Sequence, residues 1–94
     1  MARLIVKHKV ADFSAWKTVF DSMHGVRLVH GWTGHEIYRD PQDPNLVMIV
    51  NKVKTIEGAK SYGSSPELHE AMKKAGVTSV PEITLMNDEE VLSY

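Results

Sequence analysis

The stretch Arg3-Leu-Ile-Val-Lys-His-Lys-Val-Ala-Asp-Phe-Ser-Ala-Trp-Lys-Thr-Val-Phe20 changes its hydrophobic period in the middle. From Ala2 to Val10 the side chains alternate. Leu4, Val6, His8 and Val10 point one way, Arg3, Ile5, Lys7 and Lys9 the other. A period of two marks a β-strand. Asp12 then stands where a helix N-cap belongs, with a carboxylate able to accept from free backbone N–H groups. Beyond it Phe13, Trp16, Phe20 and Met23, with Val19 beside them, form one apolar helix face. The stretch therefore predicts strand, tight turn and amphipathic helix, and the fold is read outward from it.

The helix from about Asp12 runs to Met23, or as far as His30 if Gly25 only loosens it. Gly31 is the better stop, because glycine takes the left-handed conformation that closes helices. Trp32 to Asp40 reads as a second strand, with Trp32, Gly34, Glu36 and Tyr38 on one face and Thr33, His35, Ile37 and Arg39 on the other. Asp40-Pro-Gln-Asp-Pro-Asn45 is a loop, since its prolines cannot serve a sheet ladder. Leu46 to Val53 is a third strand, apolar on both faces from Leu46 to Val50. Thr55 caps a helix over Ile56–Tyr62, weakened by Gly58 and Gly63. Ser65 and Pro66 start a second helical piece that ends at Gly76. Val80 to Met86 is a fourth strand, and Pro81 argues for an edge position. Val91 to Tyr94 is either a short fifth strand or a tail.

The order β-α-β-β-α-β over 1–94 is the ferredoxin-like, α+β arrangement: a four-stranded antiparallel sheet with helices on one face and strands one and three central. Ninety-four residues make a single domain. A chain this short buries only roughly 60–65% of its unfolded surface. With helices on one face, the other is bare, and an exposed apolar patch usually marks an interaction surface. The simplest cover is a second copy under two-fold symmetry, so a homodimer is expected. The pattern leaves open which parity faces the helices, because a one-residue shift in register exchanges the two sets.

Composition narrows the function classes. Eleven basic and 12 acidic residues give a net charge of −1, which speaks against nucleic-acid or anionic-membrane partners. The absence of cysteine excludes disulfides, thiolate zinc sites and thiol nucleophiles, and fits a cytoplasmic protein. No apolar run approaches the ~20 residues of a membrane span, and the N-terminus reads directly into a strand without a signal-peptide core. His24, His30 and His69 lack metal-ligand spacing, so no metal is expected, and no phosphate loop, haem signature or Ser-His-Asp context implies a cofactor.

Leu4 to Phe20, the hairpin Tyr38-Arg-Asp-Pro-Gln-Asp-Pro-Asn45 and Ser64-Ser-Pro-Glu-Leu-His-Glu-Ala-Met72 resemble a dimeric α/β-barrel protein of the antibiotic-biosynthesis-monooxygenase-like (ABM-like) superfamily. The likeness extends from about Arg3 to Met86. It implies two sheets closing into a barrel across a dimer, with a ligand cavity between sheet and helices in each subunit. The superfamily includes cofactor-free quinone-forming oxygenases, haem-degrading enzymes and polyketide cyclases. Its oxygenases use Asn, Trp and Tyr or His in the cavity, and Asn51, Trp16 and Trp32 are available here.

The candidate catalytic residues are His8, Glu36 and Asn51. His8 lies among Leu4, Val6 and Val10, where burial would favour a neutral imidazole able to act as a base. The plainer alternative is a core histidine satisfied by one hydrogen bond. Glu36 shares strand parity with Trp32 and Tyr38, and an acid, a phenol and an indole on one face would suit an aromatic substrate. The plainer alternative is a half-exposed edge strand, on which such residues are ordinary. Asn51 is the polar break in an apolar strand and needs a partner. Trp16, Trp32 and Tyr38 are the candidate substrate-binding residues, although helical spacing makes core packing the default for Trp16. Two functions are expected: a cofactor-free monooxygenase or cyclase-like enzyme on a small aromatic compound, or a non-enzymatic homodimer that is structural or binds a small apolar ligand.

Overall fold

The computed structural model describes residues 1–94. Its elements are β1 (Ala2–Lys9), α1 (Phe13–Ser22), α2 (His24–Val29), β2 (Trp32–Arg39), β3 (Leu46–Val53), α3 (Ile56–Gly63), α4 (Pro66–Ala75) and β4 (Glu82–Asn87). The four strands form one antiparallel sheet in the order β2-β3-β1-β4. Strands one and three are central and strand four is an edge, as the sequence predicts. No helix is long and apolar enough to cross a membrane.

Local chemistry sets the boundaries. Asp12 accepts from the Ala15 N–H at 2.9 Å, Thr55 from Gly58 at 3.0 Å and Ser65 from Leu68 at 3.2 Å. Each satisfies an orphan donor of a first helical turn. Gly76 closes α4 in the left-handed conformation, with φ 74°. The first helical region breaks at Met23, with Gly25 inside the second piece. Val91–Tyr94 is tail, not strand. Gly58 does more than weaken α3: a Cβ there would overlap the His30 carbonyl oxygen, so its absence lets α3 press against the end of α2.

The register settles the parity. Leu4 pairs with Asn51 and Leu85, Val6 with Ile49 and Ile83, and His8 with Val47. These residues face the helices, and Leu4, His8, Val47, Ile49, Asn51 and Val53 are buried. The other face carries the rows Tyr38-Met48-Lys7-Glu82, Glu36-Val50-Ile5-Thr84 and Gly34-Lys52-Arg3-Met86. There Ile5, Met48 and Val50 are only half-buried and Tyr38 and Met86 are exposed.

One sequence expectation fails here. Trp32 does not share a face with Glu36 and Tyr38. It pairs with Val53, but Gly34 pairs with Lys52, so a β-bulge at Thr33 absorbs one residue. The bulge inverts the parity, placing Trp32 on the helix face and leaving Glu36 and Tyr38 on the open one.

Candidate functional site

The helix-facing core is built as two clusters. Ala2, Leu4, Trp32, Val53, Ala59 and Tyr62 form one, and Val10, Trp16, Val47, Ile49 and Ala75 the other, with Val6 packing on both. Between sheet and helices lies a cavity of about 220 Å3. Its floor is Leu4, Val6, His8, Ile49, Asn51, Ile83 and Leu85, and its walls come from all four helices. Its lining is almost wholly apolar, the polar exceptions being chiefly His8, Asn51, Arg27 and the exposed Lys60. A dry apolar cavity of about 150 Å3 is enough for benzene, so this one admits a substituted or fused-ring aromatic.

His8 is 5% exposed, and its Nδ1 is buried without a hydrogen-bond partner. The ring meets Trp16 edge to face, with centroids 5.8 Å apart. Burial pulls the imidazole below its ordinary pKa, an effect its own main chain partly opposes. The neutral base is therefore the resting form near neutrality.

Asn51 is buried and fully oriented. Its Oδ1 accepts from Trp32 Nε1 at 2.9 Å, and its Nδ2 donates to the Leu4 carbonyl at 2.9 Å. One N–H of that amide remains, since the group carries two donors. His8, Asn51 and Trp16 all line the cavity, the register setting His8 and Asn51 four residues apart along the sheet, and Trp32 is hydrogen-bonded to Asn51. Trp32 also meets Tyr62 edge to face at 4.7 Å. Glu36 and Tyr38 are exposed on the opposite face of the sheet and do not line the cavity.

Arg27 and Tyr62 also line the cavity, and neither is among the candidates drawn from the sequence. Arg27 is 3% exposed, donates from Nη1 to the Phe20 carbonyl at 2.8 Å, and lies 3.8 Å from the centre of the Phe20 ring. Burial pushes the Tyr62 phenol up, and the neighbouring Arg27 tempers that. The signal for Arg27 was present: Phe13, Trp16, Phe20, Met23 and Arg27 keep one helical spacing across the break, so a charge falls on the apolar face. No three of the histidine and carboxylate side chains converge as a metal cluster would require.

No family model and no curated protein sequence matches the chain. Solved structures do. SnoaB, a cofactor-independent oxygenase from Streptomyces nogalater, superposes with a TM-score of 0.79 at 13% identity, covering 99% of this chain and 97% of that one. A candidate antibiotic biosynthesis monooxygenase from Bordetella bronchiseptica gives 0.78 at 14%, covering 97% of each. One from Caulobacter crescentus gives 0.75 at 14%, covering 95% of this chain and 90% of that one. The fold is that of the ABM-like proteins. Identities this low carry architecture alone. Within the ABM-like fold, the chemistry of this chain has to be argued from its own cavity.

Proposed function

We infer that this ABM-like chain is a cofactor-free enzyme acting on a small aromatic compound held in the cavity, with His8 as its base. One observation supports the reading: a buried imidazole whose Nδ1 has no side-chain partner stands in the wall of an apolar cavity, where burial favours its neutral form. Neutral His8 accepts a proton from a phenol or an activated ring CH2 group. The free N–H of Asn51 donates to the oxygen on which the negative charge collects, and the Trp32 hydrogen bond keeps that amide from turning. Trp16 supplies an aromatic wall. Dioxygen is the oxidant: one oxygen atom becomes the carbonyl of the former CH2 carbon, and the two hydrogens leave with the other as water. The likeness to a cofactor-independent oxygenase supports this direction.

The test is dioxygen uptake with a hydroxylated anthrone, whose ring CH2 is acidic. Loss of a positioned base costs about 100-fold or more, so His8→Ala should abolish measurable turnover. Equal turnover by wild type and His8→Ala would overturn the assignment. Saturable binding of the anthrone without uptake would favour the ligand-binding alternative.

We infer also that two copies pair through the open sheet faces. The centre of the middle row of that face, Val50 beside Ile5, is apolar, and Met48 and Met86 extend it. Arg3, Lys7 and Lys52 share the face with Glu36 and Glu82, so a two-fold axis can set opposite charges across from each other. Glu36 and Tyr38 belong to this interface and not to the cavity.

A further inference from the structure

Arg27 is a buried cation without a counterion. The ion pairs of the molecule are Arg3–Asp88, Lys9–Asp43 and Lys17–Asp21, and none includes it. The acidic group whose charge it feels, Asp21, is exposed and held by Lys17 at 2.7 and 2.8 Å. The other titratable groups around it are the Tyr62 phenol and the imidazoles of His24 and His35, the last with a pKa depressed by desolvation and then by Arg27. None brings negative charge. A guanidinium has five N–H donors; one is used on the Phe20 carbonyl and another is directed at the Tyr62 hydroxyl, which leaves donors free. Buried charges are ordinarily paired, because taking an ion out of water unpaired is costly. Arg27 nevertheless borders the apolar cavity.

We propose that Arg27 is the anion-binding end of the cavity, and that the ligand is a small aromatic carboxylate. The guanidinium fork matches a carboxylate in a planar, two-bond geometry. The wall from Arg27 onward is aromatic: the guanidinium lies over Phe20, Phe20 stacks on Trp16 at 5.0 Å, and Trp16 meets His8. A ring system laid along that wall, with its carboxylate at Arg27, extends toward His8. The charge is thereby neutralised by the molecule that fills the cavity. This rests on the cavity being a ligand site, as the function above requires, and adds which ligands it selects.

The experiment compares two probes of nearly equal shape, 2-naphthoate and its neutral amide 2-naphthamide, by quenching of tryptophan fluorescence at pH 7. The wild type should bind naphthoate at least tenfold more tightly than naphthamide. Arg27→Met, which keeps length and removes charge, should bring naphthoate down to the naphthamide level and leave naphthamide unchanged. Equal affinity of the wild type for both probes would overturn anion selection while leaving the cavity a ligand site. A preference that survives Arg27→Met would overturn the role of Arg27. Binding of neither probe would overturn this proposal and the cavity reading together. The wild-type comparison decides even if Arg27→Met does not fold.

Discussion

Trp32 donates its indole N–H to the side-chain oxygen of Asn51 at 2.9 Å, across a sheet in which simple alternation would have set Trp32 on the same face as Glu36. The bulge at Thr33 makes the bond possible. Buried polar groups of this kind are cheap only while both partners are present. Trp32→Phe should therefore cost about 1–3 kcal/mol for the unsatisfied amide oxygen, beyond any packing loss. A double-mutant cycle with Asn51→Ala, read by urea denaturation, should give a coupling of about 0.5–3 kcal/mol. Coupling near zero would mean that the bond does not hold the amide in place.

Gly58 is required by a neighbour and not by its own conformation. A methyl group at this position meets the backbone oxygen of His30, which cannot swing aside as a side chain could. Overpacking of this sort costs about 1–3 kcal/mol. Gly58→Ala should thus lower the melting temperature although alanine favours helix, while Gly63→Ala in the same helix meets open space and should be neutral or stabilising.

The buried imidazole makes stability depend on pH. The pKa of His8 is depressed in the fold, chiefly by burial, from an unfolded value near 6.5. The unfolded chain thus holds this proton more tightly. Stability is complete above that unfolded value and falls as the pH drops through it, until the lower folded value is passed. His35 is shifted the same way by desolvation and by Arg27, but it is largely exposed and adds less. Denaturation midpoints should decline on acidification below about pH 7, through the unfolded value of His8, and His8→Leu should flatten most of that slope. An unchanged slope in His8→Leu would assign it elsewhere.

The open sheet face predicts an association constant that a single charge can break. Val50 and Ile5 occupy its centre and are half-buried in one chain. Sedimentation equilibrium should find a dimer at micromolar protein. Val50→Glu sets two like charges near the two-fold axis and should yield monomers that keep the far-UV circular dichroism of the wild type. A monomeric wild type would sink the pairing.

The sequence by itself determined the elements, their order and their ends. Alternation, helical spacing and capping side chains act within a few residues, so Asp12, Thr55, Ser65 and Gly76 mark boundaries without knowledge of the rest. It also marked His8 and Asn51 as polar breaks on apolar faces. Only the tertiary structure decided which parity faces the helices, because alternation fixes two faces and does not say which is covered. It alone revealed the bulge at Thr33, since a bulge is a relation between two strands and leaves no signature in one. That single extra residue separates Trp32, behind the cavity, from Glu36 and Tyr38 on the open face. And although Arg27 falls on the apolar helix face in the sequence, only the tertiary structure showed that it is buried beside a cavity and joins no ion pair, because only the assembled charges tell which cation has been left without a counterion.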